Sequence, residues 1–293
     1  MCAITDYEAK RGGVVNLSKL MGWSGKLAIV LFLVIMATIT LLPVGLAVLN
    51  SFKTNGEIYT NILSLPTTWQ FNNYLDVFRR THYLRSLWNT VFLVSLSVSG
   101  IVLVSSLAGY KLARTKTKLS HTLFVIFILS MLIPFHSIMI GLVRVANQLN
   151  VQGKLWGLAL IYVGIGSPMA IFLYHGFTKN VPQEIEEAAM IDGCNGLQLY
   201  FRIVFPLLRP ITFTIIILNT LWIWNDFLLP LLMISNRKKH TLLLSTQALF
   251  GQYSANWSQI LAILIMAMLP VMLVYLFIQK HIVSGIAEGA LKS

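Results

Sequence analysis

The chain has 293 residues, of which 56% are hydrophobic and 11% are charged, with 22 Lys and Arg against 10 Asp and Glu. Soluble domains carry about 25% charged residues, so these charges are too few to cover a water-facing exterior, and an ordinary soluble domain is excluded. The formal net charge of +12 does not indicate nucleic acid binding, because the cations lie in short segments between long apolar runs. Membrane lipid is the expected surrounding.

Six apolar stretches are long enough to cross a membrane as helices. About 20 helical residues cross ~30 Å of hydrocarbon, and such stretches are found at residues 27–49, 88–110, 122–143, 155–177, 211–234 and 260–278. The fifth stretch alone contains a charged residue, Asp226. The sequence therefore predicts an all-α polytopic membrane protein with six transmembrane helices.

The connecting segments set the expected orientation. Residues 1–26 precede a transmembrane domain over 27–282, and residues 283–293 form a tail. Lys and Arg are modestly more frequent on the side of the N-terminus, where Lys111–Lys118 is densely basic, although Arg237–Lys239 on the other side argues against this bias. By the positive-inside rule, we expect both termini in the cytoplasm.

The cytoplasmic segment 178–210, between the fourth and fifth stretches, is long enough to fold. Pro182 suits the first turn of a helix, and Gly193 can end that helix in a left-handed cap. A second short helix is expected from about Leu197 to Val204. Apolar residues recur at helical spacing on both helices, so this pair either rests on lipid headgroups as an amphipathic hairpin or binds another protein.

A motif in this loop favours the second alternative. The pattern Glu-Ala-Ala, three residues, Gly, nine residues, Ile, one residue, Leu-Pro is the EAA motif, and the segment resembles it at Glu187, Ala188, Ala189, Asp192, Gly193, Ile203 and Pro206. Phe205 replaces the usual Leu and Cys194 the usual Ala, and both substitutions keep an apolar side chain. The motif marks binding-protein-dependent ABC permeases. The resemblance implies the type I ABC importer permease fold and a loop that couples the permease to an ATPase subunit.

Other segments resemble the carbohydrate-uptake branch of this family. Trp222–Leu231 is similar to the Trp-Asn-acid-Phe-x-x-Pro stretch of the fifth span in maltose-type permeases, and Phe277–Ser293 is similar to their tail. Asn89 fits the Asn common near the start of the second span. Together they resemble the smaller, six-span permease subunit of that branch. Substrates such as a polyol or glycerol phosphate remain an alternative to sugar.

The resemblance implies a set of partners in the bacterial cytoplasmic membrane. They are a second homologous permease subunit, two ATPase subunits that hold ATP and magnesium, and an extracytoplasmic sugar-binding protein. The chain contains no GxxxxGK[ST] sequence, so we expect it to be a non-enzymatic transport subunit with no cofactor of its own. A metal site at His136 and His175 is not expected, because no other ligand spacing accompanies them.

Asp226 allows two interpretations, because an acid within a span is costly without a partner. It either lines the translocation path and binds sugar hydroxyls, or it holds Trp222 and Asn225 in place near the outer interface. The second is favoured, because Asp226 lies in the outer part of its predicted helix. Asn89 likewise either lines the translocation path or has a structural role.

The predicted outer loop at residues 235–259 combines the basic residues Arg237–Lys239 with the aromatic residues Phe250, Tyr253 and Trp257. Steering charges beside rigid aromatic side chains suit protein docking, so we expect a contact with the binding protein. The alternative is a solvated loop that touches headgroups. A self-contained secondary transporter is disfavoured, because several intramembrane charges or an inverted repeat would be expected.

Overall fold

The computed structural model describes residues 23–250 and 255–290, and it describes their side chains from residue 25 onward except 274, 275 and 277–290. Tyr253, residues 1–22 of the predicted N-terminal segment and residues 291–293 of the predicted tail lie outside the described residues. The described part consists of helices, turns and one isolated bridge, between Phe250 and Ala255, as the all-α prediction requires.

Twelve helices and two short 3₁₀ turns follow one another in the described residues. In chain order the helices are α1 Trp23–Ser51, α2 Asn55–Thr60, α3 Asn72–Arg80, α4 Tyr83–Arg114, α5 Lys118–Met131, α6 Phe135–Gln148, α7 Leu155–Lys179, α8 Gln183–Ile191, α9 Gly196–Leu207, α10 Arg209–Trp224, α11 Leu228–Met233 and α12 Trp257–Ala290. The 3₁₀ turns are Arg237–Lys239 and Leu244–Leu249.

The prediction of six spans is confirmed only in part. Within the described residues, three helices are long and apolar enough to cross a membrane alone, namely α1, α4 and α7, and they contain the predicted stretches 27–49, 88–110 and 155–177. Two bent pairs, α5 with α6 and α9 with α10, raise the number to as many as five. The apolar part of α12, Trp257–Leu273, is shorter.

The third predicted stretch, 122–143, is not one straight helix. α5 and α6 meet at an angle of 105°. Pro134 stands at the junction with an extended backbone, φ −60° and ψ 133°, and α6 begins at the next residue. A proline also disfavours the helical conformation of the residue before it, so the break has a local cause in Ile133–Pro134.

The fifth predicted stretch, 211–234, is also interrupted. α10 ends at Trp224, and α11 begins at Leu228. The Asp226 carboxylate accepts hydrogen bonds from the N–H groups of Leu228 and Leu229, which α11 leaves without partners inside the helix. The acid therefore starts a second helix instead of lying inside a continuous one.

α4 and α7 form the centre of the core, because their backbones approach closely. A Cβ on Gly109 would lie 2.6 Å from Cβ of Tyr174, and a Cβ on Gly166 would lie 2.7 Å from Cδ1 of Ile101. Small residues at such contacts allow the dispersion contacts that stabilise helix pairs in lipid. Leu93, Leu158 and Ile215 are completely buried around this contact. α4 and α7 are therefore expected to behave as one rigid body.

The segment between α1 and α4 folds into a cap with α2 and α3. The ring of Phe52 contacts those of Trp69, Phe71 and Tyr74 at centroid distances between 5.1 and 5.4 Å. Lys53 is fully buried, and its ammonium donates to the carbonyls of Asn61 and Ile62 at 3.0 Å. In contrast, the apolar part of α1 buries none of its residues within the chain.

Candidate functional site: the helical loop between α7 and α10

The loop with the EAA-like residues is a helical hairpin. α8 ends near Gly193, whose φ of +84° is the left-handed conformation that the sequence predicts there. α9 begins after Asn195, whose side chain accepts from the Gln198 N–H while Gln198 Oε1 accepts from the Asn195 N–H. This reciprocal capping box fixes the start of the second helix. The end of α8 therefore follows from a glycine with a positive φ, and the start of α9 follows from the capping box of Asn195 and Gln198.

A buried ion pair attaches α8 to the end of α4. The Glu186 carboxylate lies 2.6 Å from the Arg114 guanidinium and also accepts from the Tyr110 hydroxyl at 2.8 Å. Arg114 donates a further hydrogen bond to the Val181 carbonyl, also at 2.8 Å. Both charged side chains are largely buried, with exposed fractions of 13% for Arg114 and 8% for Glu186. The pair therefore holds the first turn of α8 against α4.

Aromatic packing attaches α9 to the same helix. The segment Leu199–Val204 is a π-helical turn inside α9. Its Tyr200 is buried, and the Tyr200 ring lies 5.4 Å from that of Tyr110. Tyr110 thus contacts α8 through its hydroxyl and α9 through its ring. One residue of α4 couples both helices of the hairpin.

The residues that match the EAA motif divide between two faces. Ala189 is buried against the core, and Ile203 and Pro206 are half-buried. Glu187, Ala188, Asp192 and Gly193 are exposed. Glu187 forms no ion pair with any described residue. The sequence does not distinguish Glu186 as the buried acid, because Glu184, Glu186 and Glu187 share one helix turn.

The exposed face of the hairpin is also apolar. Ile191 is 86% exposed and Leu197 is 70% exposed, and Phe201 is half-exposed on the second helix. These side chains lie on the two helices beside Glu187. A surface of this kind, with exposed apolar side chains among the acids Glu184, Glu187 and Asp192, is typical of protein contacts.

Asp226 lies in a second cluster, between α7 and the α10–α11 junction. The Tyr162 hydroxyl donates to Asp226 Oδ2 at 2.8 Å, and the Tyr162 ring meets Trp222 edge to face at 5.5 Å. Asn225 instead donates to the Leu221 carbonyl. Asp226 thus contacts neither Trp222 nor Asn225 by a hydrogen bond, and Tyr162 is the partner that the sequence analysis missed. Trp222 and Asn225 are exposed beside this cluster.

Asn89 is buried and holds the basic turn of the outer loop. Its side-chain amide donates to the carbonyls of Lys238 and His240, both at 3.0 Å. Lys239 donates to the Gly153 carbonyl at 2.7 Å. Burial lowers the pKa of His240, and the nearby Arg237 charge lowers it further. These contacts favour a structural role for Asn89 over a role in the path.

The two described aromatic residues of the predicted docking loop are accessible. Phe250 is 52% exposed and Trp257 is 43% exposed. The segment just before Phe250 is not accessible, since its residues Leu244 and Leu249 are buried against the bundle. The exposed aromatic residues are therefore separate from the turn Leu244–Leu249, which packs against the bundle.

Comparisons with known proteins agree with this geometry. The family model described as "Binding-protein-dependent transport system inner membrane component" matches residues 100–288. The probable starch degradation products transport system permease protein AmyC of Thermoanaerobacterium thermosulfurigenes is 38% identical over 259 residues, covering 88% of this chain and 94% of that protein. The melibiose/raffinose/stachyose import permease protein MelC of Bacillus subtilis strain 168 is 33% identical and covers 90% of this chain and 96% of its own length.

A solved structure shares the fold. A chain of a bacterial ABC transporter involved in the import of the acidic polysaccharide alginate matches with a TM-score of 0.74 and 21% identity, over 89% of this chain and 98% of that chain. This likeness agrees with the predicted type I importer permease fold. The matched family region includes α7, the hairpin and α10, with the EAA-like residues in between. The chain belongs to the inner membrane components of binding-protein-dependent transport systems, a family of ABC importer permeases.

Proposed function

We propose that this chain is one permease subunit of a bacterial ABC importer that moves a sugar or oligosaccharide across the cytoplasmic membrane. The observation that carries this proposal is the α8–α9 hairpin, which is fixed to α4 by Glu186 and Arg114 and presents Glu187, Ile191 and Leu197 outward. The sugar is supported by the names of the two relatives, a probable permease of a transport system for starch degradation products and an import permease for melibiose, raffinose and stachyose.

In this function the hairpin faces the cytoplasm together with both termini. The six spans would be α1, α4, the bent α5–α6 pair, α7, α10 with α11, and α12. A second homologous permease would complete the path, two ATPase subunits would bind the two hairpins, and an extracytoplasmic binding protein would deliver the sugar. The exposed apolar surface of α1 is consistent with contacts to lipid and to the second permease.

Energy would enter through the hairpin. Closure of the ATPase dimer on ATP moves its two grooves, and each hairpin follows because it binds one state of the dimer better than the other. Arg114 and Tyr110 pass this displacement to α4, which packs closely on α7. The sugar site then becomes accessible from the other side of the membrane.

The test compares two leucines that are almost equally exposed. Leu197 lies on the hairpin and is 70% exposed, while Leu63 lies in the outer cap and is 72% exposed. Leu197→Asp should abolish copurification of the ATPase subunits, whereas Leu63→Asp should leave it unchanged. Equal ATPase yields from both variants, each present in the membrane at the normal amount, would contradict the proposed role of the hairpin. Uptake of radiolabelled oligosaccharides, measured beside uptake of radiolabelled glycerol phosphate, shows which of the two classes of substrate is transported.

A further inference from the structure

A cavity of about 1070 Å³ opens beside the hairpin, where the ends of α4, α5 and α7 meet the start of α8. Its lining consists of residues 112–118, from the end of α4 to the start of α5, of residues 120–122 and Phe124 on α5, and of residues 179–184 with His175. Neither the coupling contact nor the Asp226 cluster uses the centre of this cavity. It therefore requires its own explanation.

The lining is strongly basic. Lys116, Lys118 and Lys179 have exposed side chains, and none of the three forms an ion pair with a described residue. Arg114 also lines the cavity, but its charge is already paired with Glu186. Glu184 is the one acid among the lining residues. Three uncompensated cations around a cavity favour an anionic ligand.

The surface beside the cavity is apolar. The exposed residues Leu119, Leu123 and Ile126 follow one another at helical spacing along α5, starting where the basic segment ends. Phe124 closes one side of the cavity by stacking on His175, with 3.7 Å between ring centroids. A ligand that occupies both surfaces needs an anionic group joined to a hydrocarbon chain.

We infer that this cavity binds the headgroup of an anionic phospholipid. Lys116, Lys118 and Lys179 hold the phosphate, and the acyl chains lie along the exposed face of α5. A free phosphate ion would gain only screened contacts with exposed lysines, whereas a lipid also keeps its chains in the bilayer next to α5. The inference requires that the chain spans a membrane, and it does not depend on the identity of the transported sugar.

The experiment uses the assembled transporter in nanodiscs that contain equal amounts of phosphatidylglycerol and phosphatidylethanolamine. Native mass spectrometry after partial delipidation counts the lipids that stay bound. The double variant Lys116→Gln/Lys118→Gln should lose phosphatidylglycerol retention by roughly five-fold for each lysine, or about 25-fold together. The control Arg237→Gln/Lys238→Gln removes two exposed cations from the outer loop and should retain the lipid as the wild type does.

Two further arms make the result decisive. Lys179→Gln changes a different element and should weaken retention about five-fold, so it tests the site even if the double variant assembles poorly. Inorganic phosphate added at the same concentration as the lipid should not displace it. Unchanged retention in Lys179→Gln, equal losses in the outer-loop control, or displacement by free phosphate would each overturn the inference. None of these results would bear on ATPase binding by the hairpin.

Discussion

The Arg114 guanidinium and the Glu186 carboxylate, 2.6 Å apart, join the last turn of α4 to the first turn of α8. Because both groups are largely buried, removal of one charge leaves the other without compensation. Glu186→Gln should therefore destabilise the hairpin by about 3 kcal/mol. The exposed neighbour gives the control, since Glu187→Gln should change stability by less than about 0.5 kcal/mol. Thermal unfolding of the purified transporter measures both, and equal shifts would contradict the role of the pair.

Any side chain at Gly193 should be unfavourable, although space is available around this residue. A Cβ would meet nothing within 4 Å at either Gly193 or Gly196, but Gly193 alone of the two has a positive φ, +84°. Gly193→Ala should therefore cost about 1–2 kcal/mol and lower coupled ATP hydrolysis. Gly196→Ala, in the first turn of α9, should be neutral or slightly stabilising. If both variants behave alike, backbone conformation is not the reason for glycine at position 193.

The Tyr162–Asp226 hydrogen bond separates the two interpretations of Asp226. Tyr162→Phe removes the bond and keeps the ring against Trp222, so a structural role predicts a loss of about 1.5–3 kcal/mol in stability. The KM for sugar uptake should then stay unchanged. Trp222→Phe, which keeps an aromatic side chain beside Tyr162, serves as the comparison. A raised KM in Tyr162→Phe without a change in unfolding temperature would instead place this cluster in the translocation path.

The exposed aromatic residues of the outer loop should be tested by substitution. Substitutions are preferable to a deletion of residues 247–254, because the deletion would also remove Leu249. Leu249 is only 5% exposed and packs with α12. Phe250→Ala and Trp257→Ala should leave ATPase assembly intact and reduce stimulation of ATP hydrolysis by the loaded binding protein. Leu65→Ala, at a residue 73% exposed in the cap, gives the control. Full stimulation in both aromatic variants would leave the loop as a solvated segment.

The outer cap should respond to acid through Glu57. Hydrogen bonds from Thr67 and Thr54 lower the pKa of the Glu57 carboxyl from 4.5 to about 2. A depressed folded-state pKa means that the stabilising contribution is complete above about pH 4.5 and is lost as the pH falls toward 2. Proteolysis of the cap should therefore accelerate between these values in the wild type. Glu57→Gln should show a flatter profile, and identical pH profiles would contradict the assignment.

Sequence reasoning predicted the helical class and the helical loop correctly, because apolar length and turn residues are local properties. A proline such as Pro134 marks where a helix can break, but the sequence does not set the angle of the break, so the 105° bend between α5 and α6 was not predicted. Sequence reasoning also missed Tyr162 as the partner of Asp226 and Arg114 as the partner of Glu186. Those contacts join residues that are 64 and 72 positions apart, and their formation depends on how α4, α7 and α8 pack.

α4 carries a fixed contact at each of its ends. Arg114 clamps the hairpin at one end, and near the other end Asn89 holds the carbonyls of the outer basic turn. The 32 residues of this helix measure about 48 Å at 1.5 Å per residue, which exceeds the thickness of the hydrocarbon. The helix has no proline in its interior, so it lacks the residue that most strongly breaks the helical hydrogen bonds. A displacement of the hairpin therefore also moves the outer basic turn, because both are bound to the same helix. One helix then connects the two faces of the membrane mechanically.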